Sequence, residues 1–271
     1  MTRFVLLIEY DGRPFMGWQR QSHGPSVQQC LEEAVLKVTS EQIHVQGSGR
    51  TDSGVHASGQ VAHLDIDYEI TEFRLKEAIN AHMRTNPVAV LDCRRAKEDF
   101  HARFSAIGRH YVYHIINRRA PLTVQKGLAW QVVPDLDVES MQRAAQALIG
   151  RHDFTSFRSV HCQAKSAVRT LDRLVIRQQG ADIKIAASAR SFLHHQVRSM
   201  VGCLVLVGLG RWPEDRIRET LDARNRAALG LCAPPDGLTL ACVDYPQDPF
   251  LSQGERHDPQ AVNRSFEQVR P

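Results

Sequence analysis

The spacing of apolar residues switches repeatedly along this chain, and the order of the switches restricts the folds open to it. "RFVLLIEY" (3–10) is a continuous apolar run of strand length. "SVQQCLEEAVLKV" (26–38) sets Val27, Cys30, Leu31, Ala34, Val35 and Val38 at helical spacing. Ser26 with Gln29 three residues on predicts a capping box at its start. "IHVQGSG" (43–49) predicts a strand ending in glycine, and "QVAHLDID" (60–67) alternates with Ala62, Leu64 and Ile66 on one face. "EFRLKEAINAHM" (72–83) returns to helix and "VAVLDCRRA" (88–96) to strand. The order is β-α-β-β-α-β, a ferredoxin-like arrangement.

The rest of the chain runs through the same order. "RHYVYHIIN" (109–117) predicts a strand, and "VESMQRAAQALI" (138–149) a helix capped by Asp137 and ended by Gly150. "TLDRLVIRQQ" (170–179) and "DIKIAAS" (182–188) predict a hairpin across Gly180. "SFLHHQVRSMVGCLVLVGL" (191–209) predicts a helix, "PEDRIRETLDAR" (213–224) another that opens on Pro213, and "LTLACVDY" (238–245) a closing strand. The expectation is an α+β protein of two similar halves, each ferredoxin-like, with mainly antiparallel sheets joined around a central cleft. The first half spans 1–104, the second 105–246, and 247–271 is a polar tail expected to be mobile.

A hydrophobic content of 42% with 24% charged residues suits a chain with a buried core. The net charge of +4 does not by itself point to nucleic acid. Of 34 basic residues 28 are Arg and 6 Lys, a bias that fits either phosphate and base-edge contacts or a GC-rich coding sequence. The six cysteines form no C-x-x-C and sit mostly in apolar patterns, which argues against a zinc site or a disulfide framework. The N-terminal apolar run is too short for a signal peptide, and "MVGCLVLVGLG" (200–210) too short to span a bilayer. A soluble cytoplasmic protein without membrane contact is the expectation.

Two features carry candidate chemistry. "GSGRTDSGVHASGQVAH" (47–63) gathers glycines and serines around Arg50, Thr51 and Asp52. It lacks the lysine of a phosphate loop and the third glycine of a dinucleotide fingerprint. Two readings stay open: an ordinary turn between strands, or a carboxylate held on a rigid bend, ionised by a nearby cation and able to act as a nucleophile. The second feature is Arg198, in line with His194 and Gly202 on an otherwise apolar helix. It either reaches solvent along its stem or lies in a cleft and needs an acidic partner. H-E-x-x-H, G-x-S-x-G and EF-hand patterns are missing from the sequence, as is the aromatic pattern of RRM domains.

The bend resembles the signature G-R-T-D-A-G-V-H-A of the tRNA pseudouridine synthase family. Further segments follow in the family's order: "IEYDGRPFMGWQRQ" (8–21), "FHARFSAIGRHYVY" (100–113), "DFTSFRS" (153–159), "SFLHHQVRSMVG" (191–202) and "APPDGLTLACVDY" (233–245). The resemblance covers about residues 3–245. Ser53 replaces the usual alanine and Gln196 the usual methionine. "GRHYVY" carries fewer basic residues than the family's K/R-R-Y-x-Y, which weakens a phosphate-contact role there.

The resemblance implies isomerisation of uridine to pseudouridine at positions 38, 39 and 40 of the tRNA anticodon stem-loop, by a homodimer without metal or organic cofactor. It implies that Asp52 is the catalytic aspartate and that Arg198 pairs with it. Tyr111 would pack on the target base and Arg50 would serve base flipping. Phe100, His101, Arg103 and Phe104 would contact RNA. Rival readings are an inert RNA-binding protein of the same fold, which could dispense with Asp52, and another glycosyl-transfer or phosphate-dependent enzyme.

Overall fold

The computed structural model describes residues 1–250. Contacts divide the described chain into two compact units, Met1–Arg109 with Leu240–Phe250, and His110–Thr239. The protein is α+β with mainly antiparallel strand pairing. Among the described residues no helix is long and apolar enough to cross a membrane.

In the first unit the elements follow the expected order: β1 (Thr2–Tyr10), α1 (Val27–Thr39), β2 (Gln46–Gly47), β3 (His56–Ile66), α2 (Glu72–His82) and β4 (Val88–Arg95). Neighbouring strands run β4-β1-β3, all antiparallel, with β2 also paired to β3. The register sets Thr2 opposite Ile66 and Tyr10 opposite Ala57. β1 and β3 therefore supply a shared core of Phe4, Leu6, Ile8, Leu64 and Ile66, all essentially inaccessible.

Helix α1 starts where Ser26 Oγ accepts from Gln29 N at 3.2 Å. The Gln29 side chain turns along the helix, its Nε2 donating to Glu33 Oε1 at 2.8 Å. Cys30 and Val38 are half-exposed, and Gln28 takes a buried place: its Oε1 accepts from Arg20 N and its Nε2 donates to the Val45 carbonyl. A polar side chain thus ties the helix to the segment before β2. The strand expected over 43–49 shrinks to two paired residues, Gln46 and Gly47, before the chain enters the bend.

The second unit holds β5 (Gly108–Asn117, whose first two residues group with the first unit), β6 (Trp130–Val132), α3 (Val138–Ala145), β7 (Gly150–Asp153), β8 (Val168–Gln179), β9 (Asp182–Ala189), α4 (Gln196–Gly208) and α5 (Arg216–Asp222). The last strand, β10 (Leu238–Asp244), begins here and ends in the first unit. Neighbours run β5-β9-β8-β7, and β6 joins β5 in parallel. The hairpin turns at Gly180, whose φ of +59° suits a glycine. Asp137 caps α3 through Ser140 N, but the helix gives way to a 3₁₀ turn at Gln146–Leu148, and Gly150 opens β7 rather than ending a helix. β6 and β7 carry no clear alternation and were not expected.

The helix expected over 191–209 starts five residues later, at Gln196. His195 sits in the left-handed region at φ 65°, and Leu193 is tied to Gln196 twice: its carbonyl accepts from Gln196 N, and Gln196 Oε1 accepts from its N–H at 2.9 Å. The expected row of His194, Arg198 and Gly202 therefore loses its first member. Within α4 every residue except Arg198 and Leu206 is buried.

The tail expected from 247 is described only to Phe250, which packs against a cluster of Val5, Val61, Ala102, Ala106 and Tyr245. Residues 251–271 lie outside the described residues.

Candidate active site

Asp52 stands on a bend whose neighbours are fixed from several sides. Before it, Ser48 N donates to the Val61 carbonyl at 2.7 Å and Ser48 Oγ to Gln60 Oε1 at 2.6 Å. Gln60 Nε2 reaches the Gly49 carbonyl at 3.0 Å. The Tyr10 hydroxyl, at the end of β1, lies 2.7 Å from Thr51 Oγ1. Burial pushes the Tyr10 phenol up to about 12, so it stays a neutral hydrogen-bonding group. After Asp52 the chain turns sharply, with Val55 N bonded to the Asp52 carbonyl at 3.1 Å.

The 12–18 segment presses on this bend from outside. Trp18 N donates to the Thr51 carbonyl at 3.2 Å, Gly54 N and Ser53 Oγ donate to the Phe15 carbonyl, and Gly12 N donates to His56 Nδ1. Such an approach needs glycine. A β-carbon on Gly17 would sit 2.5 Å from the Thr51 carbonyl oxygen, and its φ of +92° disfavours any other residue. One on Gly12 would overlap the Val55 carbonyl. Trp18 is buried, with its ring 6.2 Å from that of Tyr10. Ser53 adds a tie to Phe15 that the family's usual alanine could not make.

Arg50 is exposed and Asp52 half-buried on the same bend. A carboxylate in this position has a main chain that cannot swing away, which is what a nucleophile or base needs in order to meet a fixed substrate atom.

Phe100, His101, Arg103 and Phe104 come together on one turn of the same unit. His101 Nδ1 accepts from the N–H groups of both Arg103 and Phe104, and its ring lies 4.3 Å from the Phe104 ring. The Arg103 guanidinium sits 5.6 Å from the Phe104 centroid. Phe104 is 72% exposed, so an aromatic face flanked by a cation is offered to solvent. Beneath it His63, 1% exposed, accepts from Ala102 N at 3.2 Å, and Tyr245 donates to the Ala102 carbonyl at 2.6 Å. Arg3 donates to the carbonyls of Glu98 and Phe100 while pairing with Asp65 at 2.7 Å.

Arg109, in the "GRHYVY" segment, is buried at 9% exposure and donates to the main-chain carbonyls of Ser48, Arg103 and Ala106. Its guanidinium is committed to main-chain carbonyls of the interior. Sequence reasoning missed this role, as it missed those of Tyr10, Gly17, Gln60 and His63. The one available signal was a basic residue entering an apolar strand.

Tyr111 and Arg198 belong to the second unit. The Tyr111 ring is half-buried and meets Phe192 edge-on, 5.2 Å between centroids at 89°. Arg198 is half-buried in α4, with Nε donating to the Ala233 carbonyl at 2.8 Å and its own carbonyl accepting from Ala233 N at 3.0 Å. One of its five donors is thereby anchored, which limits the swing of the guanidinium plane. Gln196, in place of methionine, organises the turn before α4 through its bond to Leu193.

A sequence model described as tRNA pseudouridine synthase matches residues 6–105 and 144–246. The chain is 61% identical over 248 residues to tRNA pseudouridine synthase A of Rhizorhabdus wittichii, covering 92% of this chain and 98% of that protein. It is 57% identical over 247 residues to tRNA pseudouridine synthase A of Erythrobacter litoralis, covering 91% and 100% respectively. The protein of the same name from Zymomonas mobilis is 57% identical over 245 residues, 90% of this chain and 100% of that one.

Proposed function

Because the chain belongs to the tRNA pseudouridine synthase family, we propose that it isomerises uridine to pseudouridine at positions 38, 39 and 40 of the tRNA anticodon stem-loop, with Asp52 as the nucleophile. The match over 6–105, which takes in the whole Asp52 bend, carries this reading. The reaction breaks the N1–C1′ bond, turns the base and joins C5 to C1′; the C5 proton leaves to solvent and N1, freed from the sugar, takes up a proton, so the product is an isomer of the substrate. It needs no energy source.

A target inside a stem must first leave its stack, at a cost of a few kcal/mol. Arg50 enters the vacated space and Tyr111 stacks on the extruded base, a contact worth about 1–3 kcal/mol. Asp52 then attacks C1′ or C6, or takes the C2′ proton to give a glycal. Each route requires an ionised carboxylate kept from water, and Arg198 is the cation assigned to hold it so. Arg103 and Phe104, with Phe100 and His101 behind them, receive the RNA. The enzyme works in the cytoplasm as a homodimer.

Mapping pseudouridine in tRNA from cells with and without this protein tests the assignment. Loss of the modification at positions 38–40 alone is expected. An unchanged map at those positions would overturn it.

A further inference from the structure

We propose that Arg109 is a positioning residue that sets the Asp52 bend against the 100–106 turn, so that the catalytic carboxylate and the RNA-receiving turn move as one body. This rests on the reading of Asp52 as the nucleophile. Nη2 of Arg109 donates to the Ser48 carbonyl and to the Arg103 carbonyl, each at 2.8 Å, and Nη1 to the Ala106 carbonyl at 3.3 Å. Ser48 lies four residues before Asp52. Its N–H and hydroxyl are already committed to β3, through the Val61 carbonyl and Gln60. Its carbonyl is left to face Arg109, which ties it directly to the Arg103 and Ala106 carbonyls of the turn.

The same turn presents Arg103 and Phe104 to solvent, the guanidinium 5.6 Å from the ring centroid. A displacement of the turn on RNA docking pulls on the Arg103 and Ala106 carbonyls and reaches Ser48 through one rigid guanidinium. Only a planar fork can aim N–H groups at three carbonyls from two nitrogens. A lysine in the same place keeps the charge but has one flexible nitrogen and no fixed geometry.

The test compares wild type, Arg109→Lys and Asp52→Asn on full-length tRNA, measuring kcat, KM, tRNA Kd and the thermal midpoint, with rates normalised to folded protein. For Arg109→Lys the expected result is a kcat at least tenfold lower with KM and Kd within twofold. A wild-type kcat, or a loss carried wholly by KM or by the folded fraction, would overturn the proposal. Hydrogen exchange supplies a readout that needs no Arg109 variant. In Asp52→Asn protein, which is expected to bind tRNA without turnover, the amides of 46–53 and 101–106 should change protection together on adding tRNA. A change confined to 101–106 would also overturn it. If Asp52→Asn turns over normally, the reading of Asp52 itself has failed. If that variant is dead and Arg109→Lys is fully active, only the positioning role has.

Discussion

Replacing His63 with asparagine should remove about 2 kcal/mol from the stability that the protein loses as pH falls from 6.5 to 5. His63 is buried at 1% exposure beneath the 100–106 turn, and its Nδ1 accepts from Ala102 N, which requires that nitrogen to be unprotonated. Burial first, then the charges of His101 and Arg3, push its pKa down from 6.5 to about 4. The carboxylate of Asp65 opposes this but is itself held by Arg3. In the unfolded chain the imidazole protonates below about 6.5. Between about pH 4 and 6.5 the unfolded state therefore binds more protons, and stability rises with pH. The contribution is complete above about 6.5 and disappears as pH falls toward 4. Each pH unit in that window is worth about 1.4 kcal/mol, so the step from 6.5 to 5 costs about 2 kcal/mol. Asparagine can offer an acceptor oxygen near the Nδ1 position without titrating. Urea unfolding of both proteins at pH 6.5 and 5, followed by circular dichroism, gives the double difference and cancels groups remote from His63, while His101, its ring 4.6 Å away, is coupled to it and stays in the difference. A difference near 2 kcal/mol is expected. Identical pH dependence in the two proteins would refute the reasoning.

Three further outcomes follow from the geometry. Gly17→Ala forces a β-carbon against the Thr51 carbonyl at a positive φ; it should destabilise by roughly 1–3 kcal/mol in urea unfolding and lower kcat by displacing the Asp52 bend. Arg198→Lys keeps the charge but loses the fork anchored on Ala233, so tritium release from C5-labelled tRNA should slow at least tenfold while tRNA binding persists. Tyr111→Phe keeps the ring packed on Phe192 and should stay within a few fold of the wild-type rate in the same assay, whereas Tyr111→Ala should lose most of it.

What the sequence made legible was local. Ser26 capping α1, Asp137 capping α3 and the turn at Gly180 depend on residues within a few positions of one another, and each is found where the pattern puts it. The order of elements in the first unit was legible for the same reason. The start of α4 was not, because apolar spacing runs unbroken through 191–195 while the left-handed turn at His195 and the Gln196–Leu193 bond decide where the helix begins. At the candidate site, the glycines and serines around Asp52 marked a bend, but nothing near it announced the clamp. Tyr10, Gly17 and Trp18 come from another element, and only the folded register brings them to Thr51. Arg109 was hidden more deeply still, since its burial depends on three carbonyls drawn from positions 48, 103 and 106.

The most direct measurement is tritium release from tRNA labelled at uridine C5, run with wild type and with Asp52→Asn in parallel with a tRNA-binding assay. The account predicts full release by wild type and none by the variant, with both binding tRNA to within a few fold. Release by Asp52→Asn at the wild-type rate would contradict it.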